Sequence, residues 1–160
     1  MEDIWNITAL VVSVLSVLLS LYALRQATTK NTSDMYLFFI SQYAKEDMKL
    51  ALRNLKDIKR GVYRLEQWES DMKNNLPKAF EYDEARRLVK YFYDTLAYMK
   101  LEKLIEARFV RLICLKKGAW LYLDTVEAME KFFDSGYDKK PYAVIRDVCE
   151  NLRKEGCCPP

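Results

Sequence analysis

The stretch "DEARRLVKYFYDTLAYMK", residues 83–100, decides the fold class. Ala85, Leu88, Val89, Phe92, Leu96 and Met99 recur at steps of three and four, the period of a helix with one apolar face. Asp83 and Glu84 open the run, where the positive end of the helix dipole favours acidic groups. A strand would show alternation, and neither this stretch nor the rest of the chain does. No internal repeat appears either.

Upstream, "KEDMKLALRNLKDIKRG" (45–61) reads as a helix with Met48, Ala51, Leu52, Leu55 and Ile58 on one face. Lys59 and Arg60 suit its negative end and Gly61 its stop. Ser33 or Asp34 is placed to cap an earlier helix carrying Tyr36, Leu37, Phe38, Phe39 and Ile40. Residues 62–73 read as a short helix and "NNLPKA" (74–79) as a loop. Downstream, a break near 100–103 leads to a helix through Leu104, Ile105, Phe109, Leu112 and Ile113. Gly118 interrupts it, and "AWLYLDTVEAMEKFF" (119–133) resumes in register until "DSG". Pro141 fits the first turn of a final helix, 142–154, closed by Gly156. The expected domain is all-α.

Residues 4–24 differ in kind. They contain no charge, Pro or Gly, and at 1.5 Å per residue they are just long enough to cross a hydrocarbon core of roughly 30 Å. A signal peptide would want a basic start and a shorter apolar run; here Glu2 and Asp3 precede and Arg25 follows. Arg25 and Lys30 on one side only place the N-terminus outside and the remainder in the cytoplasm. The expected organisation is a transmembrane anchor (1–27), a linker (28–34), a cytoplasmic helical domain (35–156) and a tail (157–160). The expected location is a bacterial inner membrane, crossed once.

Asn6, Ala9, Ser13, Ser16, Ser20, Ala23 and Ala27 follow steps of three and four along the anchor. Within lipid, helices associate by close approach and interhelical hydrogen bonds, which small and polar residues permit. The stripe of Ala9, Ser13, Ser16, Ser20 and Ala23 is therefore the expected oligomerisation seam. The competing reading has each serine bonding back to its own helix.

The net charge is +3, too mild for a duplex nucleic-acid binder. There is no His, which removes the commonest general base and most zinc sites. Four scattered glycines (61, 118, 136, 156) leave no phosphate loop, and no GxSxG element occurs. Asp83, Glu84, Glu127, Glu130 and Asp134 read as solvent-facing helical acids. No enzyme activity, metal or cofactor is expected. Cys114, Cys149, Cys157 and Cys158 read as one or two core thiols and a frayed tail, reduced in the cytoplasm.

Arg86, Lys90, Tyr93, Ala97 and Lys100 form a second stripe beside the apolar one. Arg108 and Arg111 lie one turn apart on the next helix. Arginine grips phosphate bidentately and tyrosine stacks on bases, so Arg86, Lys90, Tyr93, Arg108 and Arg111 are the candidate ligand-binding residues. The stripe of Arg86, Lys90 and Lys100 reads more readily as a solvated face, pairing with Glu or Asp at neighbouring helical positions. On a central helix Arg108 and Arg111 need partners, for which Asp124 or Glu127 would serve. Lys116 and Lys117 suit a helix C-terminus.

The hydrophobic start ending "LYALRQA", the polar linker, "LVKYFYDTLAYMKLEKLIEARFVRLI", "WLYLDTVEAMEKFF" and the closing "YAVIRDVCENL" resemble a bacterial family of single-pass membrane proteins. That family has a small helical cytoplasmic domain and no assigned enzymatic function. The resemblance implies the same architecture here. An anchor joined to a small helical sensor is also similar in plan to some CRISPR-associated effectors gated by cyclic oligoadenylate. The expected function is a membrane-anchored, homo-oligomeric sensor/effector. Its domain would bind a small anionic or cyclic-nucleotide signal, as in anti-phage defence, and act through the membrane helices. The alternative is a passive anchored scaffold recruiting a cytoplasmic protein.

Overall fold

The computed structural model describes residues 16, 18–23, 33–133 and 137–157. Those residues are helical throughout, apart from short turns, with no strand among them. Two units part between Met35 and Tyr36. In the first, residues 16 and 18–23 are helical and exposed, with Leu18, Leu19, Leu21 and Tyr22 between 57% and 68% accessible. Ser20 Oγ donates to Ser16 O at 2.8 Å, so this serine bonds within its own helix. Among the described residues no helix is long and apolar enough to cross a membrane. Most of 4–24 lies outside them, including Ala9 and Ser13, as does the linker through residue 32.

Helical residues 33–44 (α1) already include Ser33 and Asp34. There follow α2 (Glu46–Lys59), α3 (Leu65–Lys73), α4 (Pro77–Leu101), α5 (Ala107–Cys114), α6 (Lys117–Leu121), a π-helical turn (Tyr122–Val126), α7 (Glu127–Phe133) and α8 (Lys139–Lys154). The long helix is α4, at 25 residues, and α2, α3, α8 and the π turn all pack on it.

It begins six residues earlier than its apolar period suggests. Pro77 occupies its first turn, where the missing N–H is no loss and the fixed φ suits the helix. The loop shrinks to 74–76. Asp83 is therefore a mid-helix residue and no acidic first turn exists.

The expected core face of α4 is in place, with Ala85, Val89, Phe92 and Leu96 buried and Leu88 and Met99 packed at its edge. The second stripe is also buried at Arg86, Tyr93 and Ala97. The solvated-face reading is thus corrected, because a helix surrounded by four elements has no wet side at these positions.

Aromatic rings link the layers. Phe39 of α1 meets Phe92 edge-on at 5.3 Å, Phe92 meets Tyr93 at 5.0 Å, and Tyr93 meets Tyr122 at 5.1 Å. Tyr122 stacks on Tyr142 of α8 at 4.5 Å. Gly118 belongs to this packing and does not break a helix; it is buried inside α6. Its N–H donates to Tyr43 Oη at 3.2 Å, and a Cβ there would lie 2.8 Å from Tyr93 Oη. Lys117 opens α6, so of the two lysines only Lys116 lies just beyond the end of α5.

Helix ends follow local chemistry. Gly61 and Gly156 take φ of +74°. Val62 N and Cys157 N donate back to Asp57 O and Leu152 O, closing the last turns as the residue after a left-handed stop does. Asp138 caps α8 by accepting from Lys140 N.

Candidate functional site

The five candidate ligand residues do not form one group. Arg86 is buried between two carboxylates. It donates to Asp83 Oδ1 at 2.8 Å, pairs with Glu130 Oε1 of α7, and lies 4.7 Å above the Phe133 ring. Lys90 bridges Asp94 at 2.6 Å and Glu130 at 3.8 Å. Tyr93 is fully buried. Arg108 is 61% exposed, pairs with Glu106 at 2.6 Å and covers its neighbour Phe109. Arg111 pairs with Glu155 at the end of α8 and holds that carboxyl below the usual range.

Neither Asp124 nor Glu127 is the arginine partner expected for α5. Asp124 takes Lys59, while Glu127 takes Arg146 and Tyr137, with Lys131 at 3.6 Å. The reason is topological: α5 is a short outer helix, and the central position belongs to α4.

Asp83, Glu127 and Glu130 are buried, against the expectation that they face solvent. Each is compensated. A buried carboxylate without a cation would cost several kcal/mol, roughly the penalty of an uncompensated ion. Opposite charges at Asp83/Arg86 and Lys90/Asp94 stand three and four apart, a signal present in the sequence.

Buried tyrosines surround this network. Burial first, then the hydrogen bond to Asp94, pushes Tyr122 far up. Burial also raises Tyr63, Tyr93 and Tyr142. Burial and the bond to Glu127 push Tyr137 up to about 12. Above pH ~10 the unfolded chain loses phenolic protons that the folded chain retains. Stability is therefore complete below pH ~10 and falls as pH rises; the share from Tyr137 disappears by about 12. Urea midpoints should hold between about pH 7 and 9 and drop steeply near pH 11.

One place combines an irregular backbone, a cavity and charges without ion pairs. At the π turn Glu127 N–H donates to Tyr122 O, five residues back. Such single turns recur at functional sites. The turn sets Leu123 and Asp124 against α8, where a cavity of about 140 Å³ is lined by them with Trp120, Arg146, Cys149, Glu150 and Arg153. Arg146, Glu150 and Arg153 share the α8 face at steps of four and three. Arg146 is engaged by Glu127 and Asp124 by Lys59. Arg153 and Glu150 have no ion-pair partner among the described residues. The indole N–H of Trp120 is buried without a hydrogen-bond acceptor.

Sequence reasoning missed this cavity because its wall depends on the π turn, which no periodicity announces. The Arg146–Arg153 spacing of seven was the one visible sign.

A second, apolar groove of about 180 Å³ lies between α1, α2 and α4, lined by Phe38, Phe39, Met48, Leu88, Tyr91 and Phe92 with Gln42, Asp47 and Thr95. No cluster of three His, Cys, Asp or Glu suited to a metal occurs among the described residues. Searches find no family model, no curated protein and no solved structure that matches this chain.

Proposed function

We propose that this chain is a membrane-anchored, homo-oligomeric sensor/effector whose cytoplasmic helical domain binds a small anionic signal and acts through its membrane helices. The observation that carries the ligand half is the cavity at the π turn. Arg153, with Arg146 beside it, offers guanidinium donors to a phosphate or carboxylate. Asp124 and Glu150 accept from an amino group on the same ligand. The volume is below the ~300 Å³ of ordinary ligand pockets. It takes one phosphate or a small acid, and a nucleotide would extend past its rim. The anchor half is supported by residues 4–24 and by the exposed Leu18, Leu19 and Leu21, which in water would seek lipid or a partner.

The test is thermal unfolding of the full-length chain in detergent with inorganic phosphate, mononucleotides and cyclic oligonucleotides. A binder should raise the midpoint by about 5 °C at a hundredfold excess over its Kd. The rise should vanish in Arg153→Ala and persist in Arg108→Ala. No response to any of these compounds rejects the sensor. The oligomer is tested by mass in detergent. The wild type should assemble, and the variant with Ser13, Ser16 and Ser20 changed to Leu should dissociate by tenfold or more, the effect of about 1.4 kcal/mol. Equal masses would assign Ser13 and Ser16 the intrahelical bonding seen at Ser20.

The second reading, a passive scaffold for a cytoplasmic protein, is favoured by the apolar groove. Tyr91 on its rim is 74% exposed and Phe38 is 55% exposed, more apolar surface than a single helical face needs to show. This reading requires no ligand response, and Tyr91→Arg would then abolish binding of the protein partner while Arg153→Ala would not.

A further inference from the structure

Tyr36 is the first residue of the second unit, and its ring stacks on Phe109 at 4.8 Å. The first turn of α1, where the chain enters the domain, is thereby fastened to the first turn of α5. Three leucines flank this contact on the outside. Leu37 follows Tyr36, and Leu101 and Leu104 belong to the end of α4 and the turn before α5; all three are between 47% and 61% exposed. The turn is a helix stop: Lys103 takes a φ of +57°, and Leu104 N donates to Met99 O at 2.9 Å. An apolar residue just past such a stop frequently packs back on the helix it ends. Here Ile105 takes the buried place and Leu104 stays outside.

One exposed leucine is ordinary on a folded surface, whereas three beside one aromatic contact make an apolar end. Lys103 and Arg108 border it. Arg108 pairs with Glu106, and Glu102 offsets Lys103 in charge. The end is therefore apolar with little net charge, which suits the boundary between headgroups and acyl chains.

We infer that this end of the domain docks on the bilayer, with Leu37, Leu101 and Leu104 entering that boundary; the inference rests on the anchor half of the function proposed above. Residues 25–32 separate the apolar segment from α1. Those eight residues span at most about 28 Å, so the entry end stays within that reach of lipid. A tether this short gives the surface a millimolar effective concentration, and a weak apolar contact is then occupied most of the time. A protein partner would have to reach the same end from solution. Lys103 and Arg108 can lay their apolar stems along the lipid while their charges stay among the headgroups.

The experiment reconstitutes the full-length chain in phosphatidylcholine vesicles with a fluorophore on Ala107→Cys, at the docking end, or on Ala44→Cys, at the far end of α1. Both positions are exposed, and the ends of α1 stand about 16 Å apart. A Cys157→Ser/Cys158→Ser background removes the tail thiols, and Cys114 and Cys149 are buried. A lipid carrying a nitroxide just below its headgroup should quench the label at position 107 about threefold more than the label at 44, given an insertion depth of roughly 5–10 Å. Leu37→Ser/Leu101→Ser/Leu104→Ser should bring the two labels to equality with helical dichroism unchanged. Equal quenching in the chain that keeps its leucines overturns the inference. So does a label at 107 that is shielded from aqueous iodide yet not quenched by lipid, which assigns this end to a protein contact. Transfer to empty acceptor vesicles tests the anchor separately, because a spanning helix does not exchange. A chain that exchanges yet is quenched at 107 supports the docking end and rejects the anchor, and exchange with equal quenching rejects both.

Discussion

Arg86→Met should lower the stability of the helical domain by about 3 kcal/mol, the cost of leaving buried carboxylates without their cation. Asp83 is 2% exposed and Glu130 7%, so neither regains water when the guanidinium goes. Arg87, 2.7 Å from Asp83, and Lys90, 3.8 Å from Glu130, remain, which holds the loss to the lower end of that range. The control is a triple variant, Arg86→Met with Asp83→Leu and Glu130→Met. With no orphaned charge it should recover most of the loss. Urea unfolding of the full-length chain, followed by helical dichroism, measures both. A loss below about 1 kcal/mol for the single variant would mean that water reaches the cluster.

Trp68→Ala should cost about 3–5 kcal/mol, the range for emptying a large buried aromatic site. Trp68 has no exposed surface. It meets Phe132 at 5.4 Å and Phe133 at 5.9 Å, both edge-on, and its Nε1 donates to Ala79 O at 3.2 Å. It thereby joins α3 to the first turn of the next helix, α4, and to α7 far along the chain. Trp68→Phe keeps one aromatic ring but loses the volume of the second and the hydrogen bond, and should cost less, about 2 kcal/mol. The same urea measurement separates the two variants. Comparable losses would show that the site does not accept the smaller ring and that the whole indole, packing and hydrogen bond together, is the tie.

Together the two variants probe both kinds of interior in this domain. Trp68 sits in a dry aromatic corner, where volume decides the energy. Arg86 sits in a polar layer, where partner count decides it. The π turn lies beside the polar layer, with Tyr122 bonded to Asp94 on one flank and the α8 cavity on the other.

The all-helical class, the main helices and most of their ends were legible from residue type and spacing. Met48, Ala51, Leu55 and Ile58 keep a period that only a helix can bury on one face, and all four are buried. Gly61 and Gly156 stop helices through a backbone conformation that other residues resist. These are local properties, carried by a few adjacent residues, so the sequence determines them by itself.

The tertiary structure alone decided which charges are interior. Arg86 and Arg108 are alike as sequence, each a basic residue in an aromatic helix. One is buried because α7 places Glu130 and Phe133 against it; the other, in the first turn of α5, is exposed. Burial, pairing and the cavity depend on what a distant segment places opposite a side chain. Glu130 lies 44 residues from Arg86 by their numbers, and the helical period holds no information across that distance.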